Sequence, residues 1–145
     1  MSYTYKYPRP SVTTDCLIFT KQTLPEILLI ERKNPPFEGK WALPGGFVEI
    51  DEDLEESAKR ELQEETGLTN ISLYQLQTFG KPGRDPRGRT ISVAYYGFIT
   101  SEGEKQKAIA GSDAKNVNWF DLNHLPSLAF DHDEIIQMAR KKIRM

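Results

Sequence analysis

The sequence lacks several features that would place the protein in a specialised class. Its single cysteine, Cys16, allows no disulfide framework and no cysteine-based zinc site, and we expect a buried, inert thiol. No apolar run approaches the length of a membrane span, and the N-terminus lacks the apolar core of a signal peptide. These absences predict a cytoplasmic protein with no membrane partner.

The chain also has little net charge. Lysine and arginine number 19 against 21 acidic residues, which leaves a formal charge of −2. Such a balance produces no overall attraction to nucleic acid, so we expect no nucleic-acid partner. Any binding of phosphate must therefore come from local clusters of charge.

A length of 145 residues with 38% hydrophobic residues predicts a single domain, 1–145, with one core. Residues 1–10 are predicted to form an extended arm in which Tyr3, Tyr5 and Tyr7 share one face. Two interpretations of the arm stay open, namely packing on the domain's own sheet and contact with a second subunit. Strands are predicted at 11–20, 26–32, 71–79, 90–100 and 117–120, and a C-terminal helix is predicted to be capped by Asp133.

The most informative stretch covers residues 45–68 and reads GGFVEIDEDLEESAKRELQEETGL. Asp53 is typical of a helix N-cap, and Gly67 is typical of the left-handed residue after the last turn, so the segment between them is predicted to be helical. At about 100° per residue, three carboxylates share one face of this helix: Glu61, Glu64 and Glu65. Like charges in this pattern repel unless a cation lies among them, and oxygen ligands suit Mg²⁺ or Mn²⁺. We infer a divalent-metal site for phosphate chemistry.

The pattern over 46–68 resembles the signature of the Nudix hydrolases, which cleave a nucleoside diphosphate linked to another group. Every position of that signature is filled in this chain. The resemblance implies an α/β fold, the Nudix α/β/α sandwich with a mixed β-sheet. It also implies that Arg60, helped by Glu52, orients the catalytic glutamates. The metal ligands that it implies are Glu61, Glu64, Glu65 and the backbone carbonyl of Gly45.

A basic loop over residues 81–89, KPGRDPRGR, carries four cations and one aspartate. It is either a solvated hairpin loop or a binding element for phosphate or a ribose-linked group, because arginine binds such groups in bidentate fashion. Pro82, the RDPRG run and the later LAFDH at 128–132 resemble the ADP-ribose pyrophosphatase branch of the Nudix family. We predict that the substrate's phosphates or ribose contact Arg32, Arg84 and Arg87. Phe37 and Trp41 are predicted either to stack on the base or to pack in the core.

The catalytic base is predicted on the polar segment 101–112 or just after it, because a downstream loop supplies this group in related enzymes. Glu102, Glu104 and Asp113 are the candidates, of which Glu104 is favoured and Asp113 comes second, and the alternative for each is a solvated side chain.

The predicted reaction is metal-dependent hydrolysis of ADP-ribose, a small-molecule nucleotide, to AMP and ribose 5-phosphate. Alternatives are an oxidised nucleoside triphosphate or a dinucleotide as substrate, and a non-catalytic sensor of ADP-ribose or another NAD metabolite. The intact glutamates, and the lack of a DNA-binding domain after Met145 in this sequence, favour the enzyme over the sensor. The family resemblance further implies a homodimer.

Overall fold

The computed structural model describes residues 2–111 and 114–145. Within them the chain forms seven strands and three helices. These are β1 (Ser11–Phe19), β2 (Glu26–Arg32), β3 (Trp41–Ala42), β4 (Gly45–Phe47), α1 (Leu54–Thr66), β5 (Tyr74–Phe79), β6 (Thr90–Phe98), α2 (Glu102–Gln106), β7 (Ala114–Asp121) and α3 (His132–Ile143). No helix in this part of the chain is both long and apolar enough to cross a lipid bilayer.

One mixed sheet organises the strands. Its order is β3-β2-β1-β6-β5, and β4 pairs with β1 while β7 pairs with β2. The β1–β6 pair is parallel and keeps its register from Ser11 opposite Thr90 to Phe19 opposite Phe98. The other pairs are antiparallel. The predicted mixed sheet is therefore confirmed.

Helices cover both faces of the sheet because alternate residues of β1 and β2 point to opposite sides. On one face α1 packs on the sheet through a cluster that includes Cys16, Ile18, Leu28, Ala58 and Leu62. On the other face α3 packs through Leu17, Phe19, Ile27, Leu29, Ile135, Ile136 and Ala139. The α/β class is confirmed, and Cys16 is buried as expected.

Some predicted boundaries were wrong. The strand predicted at 71–79 begins only at Tyr74. Ile71 and Leu73 are buried in the core although they precede the strand, so their apolar character did not indicate strand pairing. The segment predicted as a loop at 101–112 contains α2, whose N-terminus is capped by the Ser101 hydroxyl. The N-cap of α3 is Asp131, two residues before the predicted Asp133.

The described part of the N-terminal arm, residues 2–10, has no regular secondary structure. Tyr3, Tyr5 and Tyr7 are exposed, so they do not pack on the domain's own sheet. Their local contacts are a stack of Tyr3 on Tyr5 and the Arg9 guanidinium over the Tyr5 ring. Contact with a second subunit stays a prediction.

Candidate active site

Helix α1 is held at both ends by the residues that the sequence indicated. The Asp53 side chain accepts a hydrogen bond from the Leu54 N–H at 2.7 Å. Gly67, at φ +77°, donates its N–H to the Gln63 carbonyl and ends the helix. The positive φ suits glycine, since it carries no Cβ. These caps set the rotation of the acidic face relative to the sheet.

Arg60 is the centre of an ion-pair network on this face. Its Nε and Nη2 donate to the two carboxylate oxygens of Glu52 at 2.6 and 3.0 Å. Its Nη1 donates to Glu61 Oε1 at 2.8 Å and to Glu64 Oε2 at 3.2 Å. The predicted pairing of Arg60 with the glutamates and with Glu52 is therefore present. One guanidinium offsets the repulsion among three carboxylates.

The network shifts the titration of its members. The hydrogen bond from Arg60 lowers the pKa of Glu52 to about 2, and the same bond raises the pKa of Arg60. Both shifts favour the charged forms. The ion pair therefore persists over the physiological pH range.

Two glycines let the strand β4 approach the acidic face closely. A Cβ at Gly46 would lie 2.5 Å from the carboxyl carbon of Glu61, and one at Gly45 would overlap the Thr14 carbonyl. The Gly45 N–H donates to Glu65 Oε1 at 2.7 Å. A larger residue at Gly46 would push Glu61 away from β4, and one at Gly45 would push β4 away from β1.

The acidic side chains fit a divalent cation by donor type, because carboxylate and carbonyl oxygens are hard ligands. Glu61, Glu65 and Gly45 also line one cavity. Among the described residues, however, no three acidic, histidine or cysteine side chains converge as a metal-binding group. Glu61 and Glu64 accept from Arg60, and Glu65 accepts from Gly45. Convergence of the three glutamates on one point was therefore not observed, and their ligand role stays a prediction.

Two adjoining cavities lie beside this face. The outer cavity includes Arg60, Glu61 and Glu65 in its wall, and the inner cavity reaches Asp15 and His132. Their shared walls are Ile30, Arg32, Gly45, Gly46, Phe47, Glu65 and Arg87. The inner cavity has a volume of about 110 Å³ and is partly open to solvent. Pockets that hold a whole ligand usually measure about 300–1,000 Å³, so the inner cavity has room for only one end of a nucleotide-sized ligand.

The basic loop lines the inner cavity, but its arginines already have partners. Arg84 Nε and Nη2 donate to the two oxygens of Asp131 at 2.9 and 2.6 Å. Arg87 Nε and Nη2 donate to the two oxygens of Asp85 at 3.1 and 2.8 Å. Each bidentate fork is therefore occupied by a carboxylate, and contact of these arginines with phosphate or ribose stays a prediction.

Arg32 lies at the junction of the two cavities. Its Nε donates to the Pro36 carbonyl at 2.6 Å, and its guanidinium lies 5.0 Å from the centre of the Phe130 ring. Burial and the nearby charge of Arg87 lower the pKa of Arg32. In the described residues no carboxylate lies within ion-pair distance of Arg32, so its charge is available to a ligand.

The two predicted stacking aromatics do not line either cavity. Trp41 packs edge-on against Phe120 at 4.8 Å, because neighbouring strand residues point to opposite faces and Ala42 takes the cavity side. Phe37 packs edge-on against Phe130 at 4.9 Å. The aromatic residues that line the inner cavity are Phe47 and Phe130. Phe130 was missed, although it belongs to the LAFDH run that the sequence analysis singled out.

A buried polar group forms the inner end of the cavity. Asp15 accepts hydrogen bonds from the hydroxyls of Ser92 and Thr13. His132 Nδ1 accepts the Leu43 N–H at 3.0 Å, and its Nε2 lies 3.8 Å from Asp15 Oδ1. Burial lowers the pKa of His132, so the ring is neutral at pH 7. Asp15 was not predicted as a site residue, although a charged residue inside an apolar strand could have indicated it.

Of the two main candidate bases, Glu104 and Asp113, the structure describes Glu104. Glu104 lies in α2, where its carboxylate accepts from the Thr100 hydroxyl at 2.7 Å. That hydrogen bond lowers the pKa of Glu104, which makes the carboxylate a weaker base. Glu104 lines neither cavity, so its geometry does not support the predicted role. Asp113 lies outside the described residues.

We predict that Glu52→Gln lowers the stability of the protein at pH 7 and that the loss disappears on acidification. The folded-state pKa of about 2 lies below the ordinary value of 4.5, so the ionised form is favoured in the folded protein. This stabilisation is complete above about pH 4.5 and is lost as the pH falls towards 2. Urea unfolding at several pH values compares the variant with wild type.

Glu55→Gln is the matched control, because Glu55 forms an exposed pair with Lys59 on the same helix. It should change stability little at any pH. An equal stability loss for both variants would contradict the central role of Glu52.

Comparison with known proteins agrees with this geometry. The family model described as "NUDIX domain" matches residues 9–139. An ADP-ribose pyrophosphatase of Methanocaldococcus jannaschii is 47% identical over 131 residues, which cover 90% of this chain and 73% of that protein. The ADPR responsive transcriptional repressor NtrR of Acinetobacter baylyi is 38% identical, over 92% of this chain and 54% of its own length.

Solved structures give the same result. The NUDIX domain of Shewanella oneidensis NrtR, crystallised with ADP ribose, superposes with a TM-score of 0.85 at 33% identity. The match covers 94% of this chain and 90% of that one. The fold predicted from the resemblance is confirmed, and the chain belongs to the NUDIX domain family.

Proposed function

We propose that this domain is a metal-dependent Nudix pyrophosphohydrolase that cleaves ADP-ribose to AMP and ribose 5-phosphate. The observation that carries the proposal is the pair of adjoining cavities, which leads from the acidic face of α1 past Arg32 to a polar inner end. The similarity to an ADP-ribose pyrophosphatase and to a domain crystallised with ADP ribose supports this substrate.

The residues along the two cavities have different proposed roles. Glu61, Glu64, Glu65 and the Gly45 carbonyl would hold a divalent cation, which would neutralise phosphate oxygens and favour deprotonation of the attacking water. Arg60 keeps the carboxylates together through its ion pairs. Arg32 contacts the diphosphate at the junction. A carboxylate accepts the proton as the water oxygen bonds to phosphorus and the bridging P–O bond breaks. The candidate on α1 is Glu64, whose side chain is 48% exposed but, like Glu104, lies outside the walls of both cavities. Asp113 stays the alternative base.

A second candidate function is a sensor that binds ADP-ribose without cleaving it. The similarity to an ADPR-responsive repressor favours this reading. Incubation with Mg²⁺ and a mixture of ADP-ribose, NADH and 8-oxo-dGTP, followed by product analysis, separates the candidates. We expect AMP and ribose 5-phosphate, and none of either with EDTA. Binding of ADP-ribose without any product would favour the sensor. Hydrolysis of NADH or 8-oxo-dGTP alone would show that the substrate is that compound and not ADP-ribose.

We predict that Glu64→Gln lowers kcat for ADP-ribose by about 10²- to 10⁴-fold while the protein stays folded. The melting temperature should stay the same or rise, because the change removes one of several like charges on a helix face. Glu56→Gln, on an exposed part of the same helix, is the control and should keep its activity. Near-normal turnover of Glu64→Gln would refute the assignment of this residue.

We predict that Arg32→Met raises KM for ADP-ribose by about tenfold or more, because it removes a charge-assisted hydrogen bond to phosphate. Arg89→Met is the matched control. Arg89 is an exposed arginine of the basic loop that lines neither cavity, so its KM should not change. Equal KM values for the two variants would exclude Arg32 from phosphate binding.

A further inference from the structure

The basic loop does not give the inner cavity a positive charge. In the described structure, Lys81 and Arg89 are exposed and do not line this cavity, so only Arg84 and Arg87 of the four cations face it. Each of these two is joined to one aspartate through two hydrogen bonds. The part of the cavity wall that the basic loop supplies is therefore made of ion pairs, and Arg32 at the junction is the arginine of the described lining without a carboxylate partner.

The Arg84–Asp131 pair is buried, and in the second pair Asp85 is buried while the Arg87 side chain is 41% exposed. The Arg84 side chain is 4% exposed, and its partner Asp131 lies 47 residues further along the chain, at the start of α3. The Asp85 side chain is 3% exposed and also accepts the backbone N–H of Arg87 at 2.9 Å. Burial alone would raise the pKa of Asp85, but the hydrogen bonds from Arg87 outweigh it and lower the pKa. Asp85 is therefore ionised at neutral pH.

The other charged groups around the cavity do not add a positive excess. Three arginines line it in the described structure, and three carboxylates do so as well: Asp15, Glu65 and Asp85. Asp131 adds a fourth carboxylate that pairs with Arg84. His132 is neutral, and Arg32 lies at the junction where the diphosphate would lie.

Such a wall suits hydroxyl groups better than phosphate. A guanidinium that holds a carboxylate with two N–H groups keeps three further donors, and the carboxylate keeps acceptor sites. A sugar hydroxyl is both donor and acceptor and can use both partners. A phosphate only accepts and is negatively charged, so beside the basic loop it would meet carboxylates whose partner cations are already engaged.

We propose that Asp85 and Asp131 are specificity-determining residues, which neutralise Arg87 and Arg84 so that the inner cavity admits the uncharged, hydroxyl-bearing end of the substrate and excludes a phosphate. This inference rests on the proposed function, because the diphosphate is placed at the acidic face. Of the two contacts that the sequence predicted for the arginines of this loop, it keeps contact with ribose and excludes contact with phosphate. The arginines form a neutral wall, and the aspartates decide which chemical group enters.

The test measures equilibrium binding by calorimetry in EDTA, so that no turnover occurs. The ligands are ADP-ribose, ADP-ribose 2′-phosphate and ADP-ribose 1″-phosphate, which carry the extra phosphate at opposite ends. Wild type should bind at least one phosphorylated ligand about tenfold or more weakly than ADP-ribose. The ligand that is rejected shows which end enters the inner cavity.

The variant Asp85→Asn tests whether the phosphorylated ligand is rejected because of the negative charge of Asp85 or because of the ligand's size. The amide oxygen can still accept the Arg87 N–H, but the negative charge is gone, so the penalty for the phosphorylated ligand should fall to about threefold or less. Adding Arg87→Gln to Asp85→Asn should restore the penalty, because it removes the cation that was left unpaired. Asp131→Asn should act like Asp85→Asn through Arg84. Melting temperatures check that each variant is folded.

Asp133→Asn is the matched control, since Asp133 is exposed in the first turn of α3 and should leave all ratios unchanged. Equal affinity of wild type for the three ligands would overturn the inference. So would a penalty that is unchanged in Asp85→Asn, because that penalty would come from size. Absence of ADP-ribose hydrolysis with Mg²⁺, with these binding ratios intact, would overturn the proposed function alone.

Discussion

The arrangement of the candidate site depends on one constraint, the repulsion among carboxylates that share a face of α1. Arg60 relieves part of this repulsion by donating to Glu61 and Glu64, and it also donates to Glu52 in the segment before the helix, while Glu65 accepts from the Gly45 N–H. Because a single guanidinium serves three acids, the helix, the turn before it and strand β4 are held in one geometry. A divalent cation would therefore bind beside carboxylates whose positions are already set by the guanidinium of Arg60.

Close backbone approach makes this organisation possible. Gly45 and Gly46 bring β4 against the glutamates, and β4 pairs with β1 at Thr14 and Asp15. The parallel β1–β6 pair then places Asp15 beside Ser92. The acidic face and the polar inner end of the cavity are therefore connected through consecutive contacts of the sheet. The two cavities adjoin because residues of β2 and β4, with Glu65 and Arg87, line both of them.

Local patterns were the reliable part of the sequence-based prediction. The limits of β2, the caps of α1 and the ion pair of Arg60 with the glutamates depend on residues close together in the chain, and each was predicted. Errors arose where distant residues decide. Trp41 packs on Phe120, and the basic loop is neutralised partly by Asp131, which no local pattern could indicate.

The order of residues alone was enough to establish the family, the acidic helix face and the α/β class. These properties follow from helical periodicity, capping residues and a spaced signature, all of which act over short distances along the chain. The chemistry of the inner cavity was decided only by folding. Arg84 and Asp131 are 47 residues apart, and only the packing of α3 beside the basic loop turns two opposite charges into one neutral wall.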